Sequence, residues 1–540
     1  MKKFLLFAGI ILFFTLATLF AAEKTDVLGL NAMSFDTHFT EQDGQLVLHW
    51  ERLPYPCYYR VETLSPTTGL VEGEPAYHLL STGHTLRSSY EVPASAIPVV
   101  YRVTAYGMFG QLTQPSAPIT NPHYAAQAPR PVSIYHYTQD NPASLMPFLV
   151  WHKVPGAVCY EVELLSAPPE VEGGTSPDRA AHLESTHEIY TNGWQADLKK
   201  YRDRPAIWWR VRALDLHLGA IGEWSSAEKM VIDPARQAPH APLLNTFDDF
   251  PGGVQPIYPV YHWIPLHGVM HYEVELLTNP PQHEHDATPD PNRVWSRVVN
   301  SATACYDEYG RPYAGDYYWR VRALGKDGSP LGTWSDTAHF VVDSHAKRVR
   351  AAALGDSITH GGGAVSYSPA ELEYSYLTYL DFPCLNLGRS GDTSTMTLAR
   401  FDTDVLPFQP LNLLILTGTN SLRASDIPAE KVISDLAAIG EKCRAYDIRP
   451  IYLTLMPINP QNIAFAFHTD TDPNWRTKLN TINGWIREQE YYIDLEPYFY
   501  DGSRQFLDTG FSIDGLHNDI RGKMLMGEII NQHQDVFRKE

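Results

Sequence analysis

The chain has 540 residues, 44% of them hydrophobic and 19% charged, with 42 Lys plus Arg against 62 Asp plus Glu and a formal net charge of −20. This composition excludes a disordered or coiled-coil protein, and at roughly 150 residues per domain the length predicts about three to four domains. So acidic a surface repels phosphate backbones and anionic lipid, which removes nucleic acid from the expected partners.

Met1-Lys2-Lys3 opens the chain with positive charge, and Phe4 to Phe20 is an uncharged, almost wholly apolar run that ends at the small pair Ala21-Ala22. A basic start, an apolar segment and a small-residue cleavage region form the pattern of a secretory signal peptide, expected over residues 1–22. The mature protein is then expected outside the cytoplasm: secreted, periplasmic or at the cell surface. An uncleaved N-terminal anchor is the alternative.

Three related stretches follow, expected at residues 23–122, 123–236 and 237–344. Trp50, Trp151 and Trp263 are each followed nine residues later by a Tyr, namely Tyr59, Tyr160 and Tyr272. These Tyr open the alternating runs YRVETL, YEVELL and YEVELL, which read as half-buried strands. Further on come Tyr101-Arg-Val, Trp209-Arg-Val and Trp319-Arg-Val, and after the last two, Trp224-Ser and Trp334-Ser recur 15 residues beyond the Trp. The period is about 100 to 110 residues, three times over. With turns rich in Gly, Pro and Asp, each unit resembles the fibronectin type III β-sandwich, which implies an inter-sheet core holding the Trp and Tyr. The aromatic rings are expected in the cores and the Arg and Glu between them on solvated strand faces. Glycan or cell-surface contact through exposed rings of these modules stays open. The five Cys are odd in number and scattered, so free thiols are expected rather than a disulfide framework. His283-Glu284-His285-Asp286 lies in a Pro-rich loop without further ligands at matching spacing, and no metal is expected there.

From residue 345 onward the pattern changes to strands alternating with helices. Strands are expected at 349–354, 382–387, 411–417, 448–455 and 491–495, and helices at 370–380, 395–404, 429–446, 475–489 and 519–533. Such alternation predicts a five-stranded parallel sheet covered by helices, with ligands bound beyond the C-terminal strand ends. The chemistry-bearing residues fall there. The first strand runs into Gly355-Asp356-Ser357-Ile358, a tight turn able to present a hydroxyl. The second leads to Gly388-Arg-Ser-Gly391-Asp392-Thr393, where glycine lets backbone N–H groups approach a ligand. The third ends in Gly418-Thr419-Asn420, offering a carboxamide donor. Asp514-Gly-Leu-His517 precedes the last helix, with a carboxylate placed to orient an imidazole.

These four motifs together resemble the SGNH hydrolases, or GDSL esterases, over residues 345–540, a family of flavodoxin-like α/β fold. The first motif ends in Ile358 where Leu is the eponymous residue, a form common in the family. The resemblance implies Ser357 as nucleophile, His517 as general base and Asp514 as its orienting carboxylate. It also implies an oxyanion hole from the Ser357 and Gly391 N–H groups and the Asn420 side chain. Gly391 fits better than Gly388, because it directly precedes Asp-Thr. No cofactor or metal is implied. A small, polar loop after Ser357 favours a short acyl group, and Tyr367, Tyr374, Tyr376 and Trp475 are candidates either for a sugar-stacking cleft or for the core. The expected activity is hydrolysis of carboxylic esters, with acylated carbohydrate or a small ester as substrate. Lipase, thioesterase or arylesterase activity, and a non-catalytic surface adhesion protein, are the alternatives. Oligomeric state is not readable from the sequence.

Overall fold

A computed structural model of the chain describes residue 30 and residues 33–42, 45–71, 74–92, 99–107, 110–120, 130–154, 156–170, 177–247, 253–301, 303–311, 315–342, 348–363, 365 and 367–539. The expected signal peptide, residues 1–22, lies outside the described residues. The chain groups into two compact units, residues 1–128 and 129–540, the second holding the two later repeats and the α/β segment.

In the first unit, strands Thr37–Gln42, Gln45–Trp50 and Ser89–Glu91 form a three-stranded sheet, and Tyr58–Val71, Glu74–Thr85, Val100–Tyr106 and Ile119–Thr120 a four-stranded one. The third repeat has the same division, with Leu243–Leu244, Val260–Ile264 and Ala304–Tyr306 in one sheet and Arg293–Val299, His271–Leu277, Gly315–Leu324 and Ala338–Val342 in the other. The second repeat pairs Phe148–Val150 with Gly193–Gln195, opposite a sheet centred on Cys159–Leu165 and Ala206–Leu214.

The nine-residue Trp-to-Tyr spacing has a physical origin. In each repeat the Trp lies in, or directly after, a strand of one sheet and the Tyr at the start of a strand in the other, with ring centroids 5.3, 5.3 and 5.1 Å apart. Each Tyr hydroxyl accepts a hydrogen bond from the connecting loop: from the N–H of Leu53 at 2.8 Å, Val154 at 2.9 Å and Leu266 at 3.0 Å. The buried phenol thereby satisfies a backbone donor that would otherwise be orphaned in the core. The Trp-Ser motif works similarly, since Ser225 and Ser335 Oγ each accept from the N–H of Val211 and Val321 at 3.0 Å. All of Trp50, Trp151, Trp209, Trp224, Trp263, Trp319 and Trp334 are buried.

In the second and third repeats the Arg and Glu between these aromatics are not on solvated faces, whereas Arg60 and Arg102 of the first are about one third exposed. Glu163 stands directly opposite Arg210, and Glu275 opposite Arg320, each pair joined at 2.7 Å and fully buried. Trp224 covers Arg210 and Arg212, whose guanidinium carbons lie 4.7 and 4.6 Å from its ring centroid, and Trp334 covers Arg320 and Arg322 at 5.0 and 4.5 Å. A planar guanidinium can pair with a carboxylate in its plane while stacking on an indole, so the indole acts as a lid over the charges. Cys159, Cys305, Cys384 and Cys443 are buried free thiols, and Cys57 is half-buried and free.

The α/β segment contains strands β1 (Ala351–Gly355), β2 (Leu385–Gly388), β3 (Asn412–Leu416), β4 (Arg449–Leu453) and β5 (Tyr492–Ile493). They form the expected parallel five-stranded sheet in the order β2-β1-β3-β4-β5. Its helices are α1 (Ser357–His360), α2 (Ser394–Ala399), α3 (Phe401–Asp404), α4 (Thr419–Arg423), α5 (Ala429–Ala445), α6 (Pro460–Phe467), α7 (Trp475–Arg487) and α8 (Ile520–Gln532). The helix expected over 370–380 is instead two short 3-10 turns, Leu372–Tyr374 and Tyr376–Tyr379, separated by an extended Ser375. Tyr374 and Tyr376 are both buried, and positions i and i+2 cannot share one face of an α-helix. The helix α6 was not anticipated, although Asn459-Pro460 carries its signal, with the Asn459 side chain capping it and Pro at its first turn.

Both later repeats pack on this segment. Lys153 Nζ pairs with Glu371 at 3.3 Å and Glu373 at 2.9 Å, the Tyr367 hydroxyl donates to the Ala157 carbonyl, and Val158 clusters with Ile513. The third repeat joins the parallel sheet itself: Pro256 bridges Asn386 in parallel, and the Ile257 N–H donates to the Asn386 carbonyl at 3.0 Å. Ile257 and Tyr258 are buried in the same apolar core as β1 and β3.

Candidate active site

The order β2-β1-β3 reverses direction at β1, and ligands in such sheets bind where this happens, beyond the carboxyl ends of the strands. Asp356 leaves β1 and caps α1, its Oδ1 accepting from the Ile358 N–H at 3.1 Å, so that Ser357 is held on the first residue of the helix. Ser357 Oγ lies 2.9 Å from His517 Nε2. The other ring nitrogen, Nδ1, lies 2.9 Å from Asp514 Oδ2. Asp514 is fully buried, and its Oδ1 accepts from the N–H groups of Leu516 at 2.8 Å and His517 at 2.7 Å. These bonds hold a carboxylate against Nδ1–H, which leaves the Nε2 lone pair facing the Ser357 hydroxyl.

Gly391 and Asn420 stand beyond the ends of the strands flanking β1. Gly391 has φ +86°, a backbone conformation that favours glycine, and a Cβ there would meet open space. Asn420 Nδ2 donates to the Asp392 carbonyl at 3.0 Å, tying the carboxamide to the residue that follows Gly391. Arg400 fastens the floor of this region. It donates to Asp392 Oδ2 at 2.5 Å, to the carbonyls of Leu387 at 2.6 Å and Gly355 at 2.7 Å, and to Asp404 at 2.8 Å. The ends of β1 and β2 thus share one buried cation.

A buried charged group underlies the turn at Ser357, and sequence reasoning missed it. Lys523, on α8 and fully buried, donates to the Ile358 carbonyl at 2.7 Å. Burial pushes its ammonium down to about 7, against the opposing pull of Asp356, Asp514 and Asp519. Burial likewise raises the Asp356 carboxyl to about 6 and the Asp519 carboxyl well above the usual range. Lys523 stands two residues after Arg521 in the first turn of an amphipathic helix, where a cation reads equally well as a solvated residue.

The remaining candidates are placed elsewhere. Tyr374, Tyr376 and Trp475 are buried, and Tyr367 stacks on Tyr374 with centroids 4.2 Å apart, so these rings are packing groups rather than a sugar platform. Beside the imidazole of His517 stands Phe467 of α6, edge-on at 5.9 Å. His285 Nδ1 lies 3.2 Å from the Trp334 carbonyl, and among the described residues no group of three His, Cys, Asp or Glu is arranged to hold a metal ion.

Residues 353–522 match the model of the GDSL-like lipase/acylhydrolase family. Among solved structures, the chain is similar to a GDSL-like lipase from Bacteroides thetaiotaomicron VPI-5482, at 19% identity over 36% of this chain and 92% of that one, with a TM-score of 0.29. It is also similar to a lipase/acylhydrolase from Enterococcus faecalis, at 18% identity, 36% and 99% coverage and a TM-score of 0.29. A third is a catalytic mutant of an acetylxylan esterase from Geobacillus stearothermophilus, at 15% identity, 36% and 97% coverage and a TM-score of 0.28. No curated protein matches the chain.

Proposed function

We propose, from the premise that residues 353–522 form a GDSL-like lipase/acylhydrolase domain and hence a carboxylic ester hydrolase, that the chain is an exported serine esterase removing short acyl groups, acetyl foremost, from carbohydrate. The observation that carries the catalytic part is the contact chain from Ser357 Oγ through His517 to Asp514, 2.9 Å at each link. Ser357 Oγ attacks the ester carbonyl while His517 Nε2 takes its proton. The resulting oxyanion accepts from the Ser357 and Gly391 N–H groups and from the Nδ2 hydrogen of Asn420 that does not bond Asp392. His517 then gives its proton to the departing alcohol, and water repeats the sequence on the acyl-enzyme to release the acid.

A short acyl group is favoured by Gly361-Gly362-Gly363 beside the nucleophile. A Cβ at Gly362 would stand 3.6 Å from His517 Cδ2 and 3.8 Å from Ser357 Cβ, ordinary van der Waals contact, so this small-residue backbone passes directly beside the reacting pair. Carbohydrate is favoured by the export pattern of residues 1–22 and by the small, polar loop after Ser357. The landmark Trp and Tyr of the repeats are buried but Tyr58, Tyr190, Tyr306 and Tyr309 are exposed on them, so sugar contact is open to these rings as well as to polar side chains near Gly391, such as half-buried Arg389 and Thr393.

The direct test is hydrolysis of a chromogenic acetate ester by wild type and Ser357→Ala. The variant is expected to lose at least about a thousandfold in kcat, and equal rates would remove the esterase mechanism. For substrate, purified protein is expected to release acetate from acetylated xylan, pectin or glycans. Rapid cleavage of long-chain esters with no acetate released from those polymers would overturn the carbohydrate reading.

A further inference from the structure

His360, at the end of α1, is buried between the third β-repeat and the loop carrying Gly391. Its Nδ1 accepts from the Ser390 N–H at 3.1 Å and lies 2.9 Å from Ser390 Oγ. With Nδ1 an acceptor, the ring proton is on Nε2, which donates to the Tyr258 carbonyl at 2.7 Å. That carbonyl is itself held firmly. The Tyr258 hydroxyl donates to Asp404 Oδ2 at 2.8 Å, the Ile257 N–H to Asn386 at 3.0 Å, and the Arg311 N–H to the Ile257 carbonyl at 2.6 Å. The guanidinium groups of Arg389 and Arg400 lie 5.3 and 5.6 Å from the Tyr258 ring centroid.

We propose that Tyr258 and His360 position the loop from Gly388 to Gly391, so that the third β-repeat is a working part of the ester-cleaving site. The proposal rests on the reading of Gly391 as an oxyanion donor. Ser390 is separated from the Gly391 amide by only its own two backbone torsions, so anchoring the Ser390 N–H restricts where the Gly391 N–H points. The loop is pressed against His360 on its other side as well. A Cβ at Gly388 would fall 2.2 Å from the His360 backbone nitrogen, and Asn386 Nδ2 donates to the His360 carbonyl at 3.0 Å. Burial holds the His360 imidazole down at about 4, so it stays neutral and keeps the lone pair that Ser390 needs. An oxyanion donor acts through preorganisation, and its contribution is lost when it is free to turn away.

His360 is a positioning residue, and its test separates aim from folding. His360→Phe in the full chain keeps a ring of similar size without either hydrogen bond, and His360→Gln keeps one acceptor and one donor. On para-nitrophenyl acetate, His360→Phe is expected to lower kcat about tenfold or more with KM within about twofold of wild type. Affinity for a tetrahedral boronate is expected to fall in parallel, and His360→Gln to recover kcat to within about threefold of wild type. A purely structural role would lower Tm and leave kcat per folded molecule unchanged, and that result overturns the proposal. If His360→Phe does not fold, His360→Leu, which also removes the Nδ1 acceptor, decides: a fall of about threefold or more in kcat supports the positioning role, and an unchanged kcat overturns it. Failure of the esterase reading would look different, with wild type itself inactive on the ester, and would take this proposal with it.

Discussion

One amide hydrogen of Asn420 is committed to the Asp392 carbonyl, so its contribution to an oxyanion comes from the other. Asn420→Ala is therefore expected to lower kcat by about a hundred- to a thousandfold, the range for losing one such donor, with KM little changed. A second expectation at this scale concerns pH, on which stability depends through His360. Its folded value, about 4, is depressed below the ordinary histidine value by burial, so its contribution is full above the unfolded value and is lost as pH falls toward 4. Relative to His360→Gln, wild type should lose roughly 1.4 kcal/mol per pH unit between about pH 6.5 and 4, checked by urea unfolding at several pH values. Ser357, Gly391, Asn420, Asp514 and His517 were legible in the sequence because each sits at a strand end or turn beside glycine, where spacing alone locates it. Lys523 and His360 were not. Their roles come from what burial places around them, and a single sequence carries no mark of that.

Elements were legible where periodicity is strong. The five parallel strands and the long helices α5, α7 and α8 follow their hydrophobic runs to within a few residues. Periodicity failed at 370–380, where successive aromatics are buried on what would be opposite helix faces, and at the Glu-Arg positions of the repeats. Alternation says which residues leave the core side of a sheet, but not that an indole from a later turn will cover them. The buried pairs carry a prediction of their own. Glu275→Gln leaves Arg320 sealed beneath Trp334 with its counter-charge gone, and should destabilise the third repeat by about 3 to 5 kcal/mol, seen as a lowered urea midpoint. Glu275 also meets Arg293, so replacing the carboxylate leaves two guanidinium groups short of a partner.

At the scale of the whole molecule, the modular reading of the sequence divides what the structure joins. Residues 1–128 form their own compact unit, whereas 129–540 form another in which two β-repeats hold the α/β segment. A fragment of residues 345–540 lacks Ile257 and Tyr258 from its core and leaves the β2 edge unpaired, and open edges invite chain-to-chain pairing. That fragment is expected to aggregate or lose turnover on small esters, while residues 129–540 keep it. Matched expression, light scattering and ester assays decide the matter. Nothing in the sequence marks this union, because the pairing of Pro256-Ile257 with Asn386 is non-local.

The strip at 256–258 also sets an order in time. It is translated well before Asn386, the residue it pairs with, and chains fold from the N-terminus as they are made. When β2 is synthesised, its neighbour is already in place on a finished β-repeat, so the newborn sheet meets a template before it meets another chain. A circular permutant that places the α/β segment first would have to wait for that template, and its yield of soluble protein from cells should drop even if its finished fold were the same.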